Sequence, residues 1–202
     1  MTRVVAVDPR APAQGPLAEA AAALRAGALV AFPTETFYGL GAAALQPAAV
    51  RRIFDVKGRP DAKPLLVLVD SLAMVEGLAA EIPPAARVLM ARHWPGALTL
   101  VLRARPHVPV EVTAGSDTVG VRLSAHPVAR GLVGALRAPV TAPSANPSGA
   151  TPPSTADGVL AHFRDRIELV LDGGATAGGE PSTVLDLTVD PPRVLRQGAV
   201  RV

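Results

Sequence analysis

Short, uninterrupted runs of aliphatic residues, separated by longer segments with helical spacing, constrain the fold of this chain most strongly. Residues 28–32 and 65–69 are continuous apolar runs, which are typical of strands buried on both faces. Residues 98–102, which include one threonine, are also predicted as a strand. Further strands are predicted at residues 4–7, 118–123, 167–171, 183–187 and 194–195, and at residue 140 up to Pro143. Helices are predicted at residues 16–26, 47–56, 71–80, 84–93, 127–136 and 155–163. This alternation predicts an α/β domain with a central mixed sheet.

The length of 202 residues and the apolar content of 49% suit a single domain over residues 1–202 with an aliphatic core. No run approaches the roughly 20 apolar residues of a membrane span, and the N-terminus lacks a secretory layout. The absence of cysteine excludes disulfides, thiolate catalysis and cysteine-based zinc sites. These features predict a cytoplasmic protein without membrane association.

The charge balance gives weak support to direct binding of tRNA. The formal net charge is +3, although the isoelectric point of the sequence is about 10.1. The high value reflects a scarcity of groups that lose a proton at high pH, because nearly all the cations are arginines.

The two lysines of the chain, Lys57 and Lys63, flank Arg59 in one loop between a predicted helix and a buried strand. Arginine supplies the positive charge elsewhere, so this clustering of lysines is unusual for the chain. An ammonium group is a compact point charge and a guanidinium binds two oxygens at once, which suits a polyphosphate. A solvated basic loop explains the pattern equally well.

Residues 143–149 form a second polar segment, with Ser144 and with Asn146, the only asparagine in the chain. Open α/β sheets bind ligands beyond the carboxyl ends of their strands, where this segment would lie. An ordinary proline-bounded turn has the same composition. If the first interpretation holds, we expect this segment and residues 57–63 to converge on one triphosphate.

A third polar segment, residues 33–36, follows a buried apolar run and leads to Tyr38, the only tyrosine. Thr34, Glu35 and Thr36 place hydroxyls and a carboxylate beside apolar neighbours, as binding sites for small polar metabolites require. The alternative is a helix-capping turn with Thr34 or Thr36 as N-cap.

Arg122 lies within an apolar strand pattern, where a guanidinium needs a partner. That partner is either a carboxylate of the protein or one of a substrate. Ser182 follows four glycines between residues 173 and 179, which indicate a mobile loop beside a site or a hairpin turn. The four histidines, including His126 before a predicted helix, are interpreted as structural or surface residues. The sequence has no phosphate loop, dinucleotide fingerprint or zinc-ligand pair.

Six segments, taken in order, resemble the YrdC family of threonylcarbamoyl-AMP synthases. They are FPTETFYGLGA, KGRPDAKPLLV, HWPGALTLVL, TVGVRLSAHPVA, PVTAPSANPSG and the stretch from DGG through PSTVLDL to VLRQGAV. The similarity runs from about residue 17 to residue 200. Each motif alone is weak, but six of them in sequence with plausible spacing are specific.

The resemblance implies a twisted mixed sheet, flanked by helices, around a large basic cavity. It implies a nucleotidyltransferase that uses L-threonine, bicarbonate and ATP, with Mg²⁺ as cofactor, and releases threonylcarbamoyl-AMP and pyrophosphate. A downstream threonylcarbamoyl transferase complex would use the product to modify a tRNA adenosine next to the anticodon. Longer relatives carry a second domain, and this chain is expected to be the short, single-domain form.

The resemblance also implies roles for individual residues, with the metal ligands left unassigned. Contacts to ATP are implied for Lys57, Arg59, Lys63, Thr118, Ser144, Asn146 and Arg196, of which Lys57 and Arg59 are the catalytic phosphate ligands. Contacts to threonine are implied for Thr36, Arg122 and Ser182, with Arg122 on the carboxylate. Longer relatives have a histidine of the threonine site where this chain has Leu68, so threonine binding would depend on the other contacts.

Three alternatives stay open at this point. An RNA-binding module would use the cavity as a basic groove, although the aromatic residues that stack on bases are sparse here. A related domain that makes carbamoyl-adenylate for hydrogenase maturation belongs to much longer chains with acylphosphatase-like and zinc-finger parts. A paralogous family of the same fold lacks the Lys-Gly-Arg and Ser-Ala-Asn signatures, both of which are present here.

Overall fold

The computed structural model describes residues 1–58 and 63–202. The strands within these ranges are β1 (Arg3–Ala6), β2 (Val30–Pro33), β3 (Tyr38–Gly41), β4 (Leu66–Leu68), β5 (Leu98–Arg103), β6 (Thr118–Arg122), β7 (Val140–Thr141), β8 (Leu169–Asp172), β9 (Thr183–Asp186) and β10 (Arg193–Arg196). The helices are α1 (Gln14–Arg25), α2 (Pro47–Lys57), α3 (Leu72–Leu78), α4 (Pro84–His93), α5 (Val110–Thr113), α6 (Pro127–Leu136) and α7 (Ala156–Phe163). In the described ranges, no helix is both long enough and apolar enough to span a bilayer.

The predicted α/β class is confirmed, but the strands form two mixed sheets instead of one. The first has the order β1-β8-β2-β3, and the second has the order β10-β9-β5-β6-β4-β7. In the second sheet, β5 pairs with β9 and β4 with β6 in parallel, while the other neighbours are antiparallel. Isolated bridges join Gly39 to Ser144 and Ala43 to Val140, so the two sheets meet without a continuous ladder of hydrogen bonds.

Alternation along β5 and β6 separates the core from an open face. Leu98, Leu100 and Leu102 are buried in the larger apolar cluster of the protein, together with Val119 and Val121 of the neighbouring strand. Because successive side chains of a strand point to opposite faces, the residues between these positions face the other way. The strand pattern thereby places Thr99, Thr118 and Arg122 on the face that forms the site described below.

Helices α1 and α6 cover the first sheet through the smaller apolar cluster, which includes Leu17, Leu132 and Phe32. The two helices approach so closely that a Cβ on Gly131 would lie 2.6 Å from the Leu17 side chain. Glycine at this position therefore permits the helix packing that supports β2 from behind.

The bounds of α4 and α6 agree with the helices predicted at residues 84–93 and 127–136. The sequence pattern missed α5, which has only four residues, and β3, which reads Tyr-Gly-Leu-Gly. Glycine is depleted in strands, so this composition gives no strand signal. In the structure the glycine is needed, because a Cβ on Gly41 would lie 2.8 Å from the Phe32 ring.

Candidate active site

A cavity of about 480 Å³ lies against both sheets, within the size range of small-molecule sites. Its walls come from β3, from the outward faces of β5 and β6, and from β9 and β10. The turns at residues 34–37, 142–144 and 181–182, residues 64–66 and Pro152 also belong to the lining. The predicted site residues that line the cavity are Thr36, Thr118, Arg122, Ser144, Ser182 and Arg196.

The other predicted site residues lie beside the cavity or outside the described ranges. Lys57 and Asn146 are buried next to the wall, at 3% and 5% exposure. Lys63 is exposed, and its neighbour Pro64 lines the cavity. Arg59 lies outside the described residues. The predicted large basic cavity stays a prediction, because the charged side chains of the described lining are two guanidinium groups.

Lys57 joins the end of α2 to the polar turn that follows β7. Its Nζ donates hydrogen bonds to the main-chain oxygens of Ser144 (2.6 Å) and Asn146 (2.5 Å). In return, the main-chain N–H of Ser148 donates to the oxygen of Lys57 at 2.8 Å. Gly58 adopts a left-handed conformation (φ 55°) that ends the helix at this point. Lys57 therefore contacts the polar turn directly, while the convergence of the two segments on one triphosphate stays a prediction.

The side chain of Asn146 is fixed with its amide nitrogen toward the main chain. Nδ2 donates to the oxygens of Pro147 (2.8 Å) and Ala150 (2.7 Å). The other end, Oδ1, is buried and has no hydrogen-bond partner among the described residues. A buried oxygen acceptor without a donor is costly, so this atom is a candidate to bind a donor or a cation.

The Thr34–Thr36 turn is held by its own hydroxyls and does not cap a helix. The Thr34 hydroxyl donates to the oxygen of Phe37 at 2.7 Å and lies 3.1 Å from the Thr36 hydroxyl. The chain continues directly into β3. The interpretation of this turn as a helix N-cap is therefore wrong, since a strand follows it.

Residues 173–181 fold over this turn. The Thr176 hydroxyl and the main-chain N–H of Gly178 both donate to the oxygen of Thr36, at 3.0 and 2.9 Å. The segment connects β8 of the first sheet to β9 of the second, so it is not a hairpin turn. The Tyr38 hydroxyl donates to the oxygen of Gly174 at 2.8 Å, which ties the same segment to β3. Burial, together with the nearby Asp172 carboxylate, raises the pKa of Tyr38, so its hydroxyl stays protonated as a donor.

Arg122 has a carboxylate partner within the protein. Its Nη2 lies 2.5 Å from Oε1 of Glu35 as an ion pair, although the two atoms lack the alignment of a hydrogen bond. Its Nε donates to the oxygen of Gly96 at 3.2 Å. Of the two partners that the sequence left open for Arg122, the structure shows the carboxylate of the protein. The guanidinium also lines the cavity.

Glu35 is in turn bonded to the Ser124 hydroxyl, which donates to Oε2. Burial acts to raise the pKa of Glu35, but the Arg122 charge and the Ser124 hydrogen bond outweigh it, so the pKa lies below its usual value. His126 follows closely, and its Nδ1 accepts the main-chain N–H of Val128 at 3.2 Å to cap α6. Its interpretation as a structural residue is confirmed.

Ser182 contacts side chains of two strands of the cavity wall, Thr99 of β5 and Arg196 of β10. Its hydroxyl is 3.0 Å from the Thr99 hydroxyl and accepts a hydrogen bond from Nη2 of Arg196 at 3.0 Å. Partial desolvation, followed by the charge of Arg122, lowers the pKa of Arg196. The two guanidiniums are therefore close enough to repel each other, and an anion between them would be stabilised.

Sequence reasoning did not assign a role to Glu35, Ser124 or Thr99. Glu35 lies in a segment that was selected for its hydroxyls. The need of Arg122 for a carboxylate partner was the one signal that pointed to Glu35. Thr99 occupies an outward position of a buried strand, which no motif marks. Leu68 is 1% exposed and belongs to the smaller apolar cluster, so it is a core residue and not part of the described lining.

The fold and this cavity define an α/β protein of the Sua5/YciO/YrdC class. The profile of that family, which carries the description "Telomere recombination", matches residues 22–198. The chain belongs to this family.

Individual relatives narrow the comparison. The chain is 50% identical over 181 residues to the threonylcarbamoyl-AMP synthase of Pyrococcus abyssi, which covers 90% of this chain and 53% of the relative. It is 45% identical over 185 residues to the threonylcarbamoyl-AMP synthase of Bacillus subtilis, and the match covers 91% of this chain and 54% of that relative. The crystal structure of P. abyssi Sua5 complexed with L-threonine matches with a TM-score of 0.95 at 48% identity, covering 98% of this chain and 58% of that one. The chain thus spans about half the length of the curated relatives named here.

Proposed function

We propose that this chain is an L-threonylcarbamoyladenylate synthase, a nucleotidyltransferase that uses L-threonine, bicarbonate and ATP. The observation that carries the proposal is one cavity with a lysine-supported turn at Ser144 and with Arg122 and Ser182 elsewhere on its wall. The names of the relatives in P. abyssi and B. subtilis and the threonine complex of the P. abyssi protein support the same reaction.

The turn at Ser144 would hold the triphosphate of ATP. Lys57 and Arg59 would contact the phosphates, with Lys63 on the nucleotide side and Asn146 at the phosphate or metal end. The burial of Lys57 against two carbonyl oxygens supports a fixed cation here, since a buried ammonium must be solvated by such partners. Thr118 and Arg196 would add nucleotide contacts from elsewhere on the lining.

The end of the cavity at Arg122 would hold L-threonine. A guanidinium attracts a carboxylate and donates hydrogen bonds to it, and the Arg122 group lines the cavity. The hydroxyls of Thr36 and Ser182 lie on the same lining, where they can pair with the polar groups of a small amino acid. Because Leu68 is a core residue, threonine binding would depend on these three residues.

Residues near the turn suit Mg²⁺ that is held mainly by the nucleotide. The described residues contain no cluster of three or more histidine or carboxylate side chains that could cage a metal. Mg²⁺ is usually bound by one or two protein oxygens together with substrate phosphates and water. Oδ1 of Asn146, which has no hydrogen-bond partner among the described residues, would be such an oxygen. When bound, the ion would neutralise charge on the phosphates.

The proposed reaction has two steps. The threonine amine attacks the carbon of bicarbonate, water leaves, and a carbamate forms. A carbamate oxygen then attacks the α-phosphorus of ATP in line, and the bond to the pyrophosphate leaving group breaks. No histidine or carboxylate is part of the described lining, so catalysis would depend on positioning and on cations beside the phosphates. The enclosing walls would protect the carbamate and the mixed anhydride from water.

The product would pass to a separate threonylcarbamoyl transferase complex in the cytoplasm for tRNA modification. We do not assign direct tRNA binding to this chain, because its net charge is only +3.

Pyrophosphate release tests the proposal directly. The purified chain with ATP, Mg²⁺, L-threonine and bicarbonate should release pyrophosphate, and release should stop when either threonine or bicarbonate is withheld. L-Serine and L-valine are useful comparison substrates, since each lacks one of the groups that threonine presents. Pyrophosphate release that continues at the same rate without threonine would refute the assignment.

A further inference from the structure

Glu35 is the centre of a fixed chain of contacts behind the cavity wall. Oε1 pairs with Arg122, and Oε2 accepts the hydroxyl of Ser124. The Ser124 oxygen in turn accepts the main-chain N–H of His126 at 3.2 Å, at the start of α6. Neither Glu35 nor Ser124 lines the cavity, so Glu35 acts on a ligand through Arg122.

The same contacts orient the guanidinium of Arg122. Nη2 is held by Glu35 and Nε by the oxygen of Gly96. Within the described ranges, Nη1 has no hydrogen bond, and the group lines the cavity. The protein thus fixes one edge of the planar group, while the side chain as a whole is only 4% exposed. Nη2 is itself buried, so Nη1 is the nitrogen left to meet a ligand, and the contacts of the other two nitrogens fix its position before the ligand binds.

Charge at this end of the cavity is also limited by Glu35. Arg122 and Arg196 are the charged side chains of the described lining, and they are close enough to influence each other. With Glu35 ionised, this group of three side chains has a net charge of +1; without that carboxylate the net charge would be +2. Coulomb attraction grows with the charge of the ligand, so an extra positive charge would favour a dianion far more than a zwitterion.

We infer that Glu35 is a specificity-determining residue that acts through Arg122, so that Arg122 binds the carboxylate of an amino acid in preference to a phosphate group. The inference rests on the proposed function, in which the same cavity receives both a triphosphate and threonine. Glu35 separates the two anions: the triphosphate is directed to the turn at Ser144, and the carboxylate to Arg122.

Glu35→Gln tests the charge. Calorimetric titrations with L-threonine and with inorganic phosphate, at mildly alkaline pH where phosphate is mainly dianionic, give two dissociation constants. In the variant, the preference for threonine over phosphate should fall by about tenfold or more. Glu111→Gln is the matched control, because Glu111 is 16% exposed, similar to the 20% of Glu35, and pairs with Arg51 away from this cavity. An unchanged preference in Glu35→Gln would overturn the inference.

Ser124→Ala tests the orientation and covers the case in which Glu35→Gln does not fold, as thermal unfolding would show. It leaves the carboxylate charge in place and removes the hydroxyl that holds Oε2. Threonine should bind severalfold more weakly, while phosphate affinity stays at the wild-type value; equal threonine affinity would overturn the positioning role. If the wild-type chain binds no threonine at all, the proposed function fails, while the phosphate titrations still report on Glu35.

Discussion

The two ends of the cavity hold their cations in different ways. At one end, Lys57 is bonded to two main-chain oxygens of the turn at residues 144–146. At the other, Arg122 is held by the Glu35 carboxylate and one main-chain oxygen. Main-chain carbonyls neither titrate nor carry a full charge, so these two contacts fix Lys57 without neutralising it. The charge of Arg122 is largely compensated, which suits a ligand recognised by shape more than by charge.

The largest effect is expected from Lys57→Met, which keeps the length of the side chain and removes its charge. Two buried carbonyl oxygens lose their donor, and the phosphates lose a cation, so kcat/KM for ATP should fall roughly a hundredfold or more. Steady-state pyrophosphate release measures this. Arg51→Met is the matched control, because Arg51 lies on the same helix with a side chain 60% exposed. A variant with wild-type turnover would show that the lysine-supported turn is not part of the site.

A smaller and more selective effect is expected from Arg122→Lys. Lysine keeps the charge but loses the planar fork, so the KM for threonine should rise about tenfold, while the KM for ATP stays within about twofold. Initial rates at varied threonine and varied ATP separate the two constants. Arg103→Lys, an exposed position of β5 paired with Asp117, is the control. Equal increases in both constants would contradict the division of the cavity into two ends.

The smallest effect concerns stability at the amino-acid end. Burial lowers the pKa of His126 below its usual 6.5, although the Glu35 carboxylate acts in the opposite direction. His126 therefore binds a proton more readily in the unfolded chain than in the folded protein. The stability that neutral His126 contributes is complete above about pH 6.5 and declines as the pH falls below that value. Protonation also ends the cap, because Nδ1 can no longer accept the N–H of Val128.

His126→Asn should keep a helix cap and remove the pH dependence of that contribution. Urea unfolding at a series of pH values between about 5 and 8 measures the free energy of unfolding, a range that brackets the histidine reference value. The wild-type protein should lose more stability toward acid than the variant does. Parallel curves for the two proteins would assign the acid sensitivity to other groups.

Most helices and strands and much of the candidate site could be predicted from the sequence, but the arrangement of the strands in two sheets could not. The apolar patterns at residues 28–32, 65–69 and 98–102 predicted β2, β4 and β5. Local motifs selected four residues that line the cavity, and the family resemblance added Thr118 and Arg196. The split into two sheets was not predictable, because it depends on how β3 pairs, and Gly39 and Gly41 hide that strand from any propensity argument. The pairing of Glu35 with Arg122 was equally hidden, since the two residues are far apart in the sequence and meet only after the sheets pack.

Residues 173–181 have one further consequence for the molecule. This segment leaves the first sheet after β8, is fastened to the oxygen of Thr36 by Thr176 and Gly178, and enters the second sheet at β9. Residues 173–181 are therefore connected to both sheets and to the amino-acid end of the cavity. A rotation of one sheet relative to the other would be transmitted to the Thr36 hydroxyl, so the spacing of the sheets and the width of that pocket are mechanically linked.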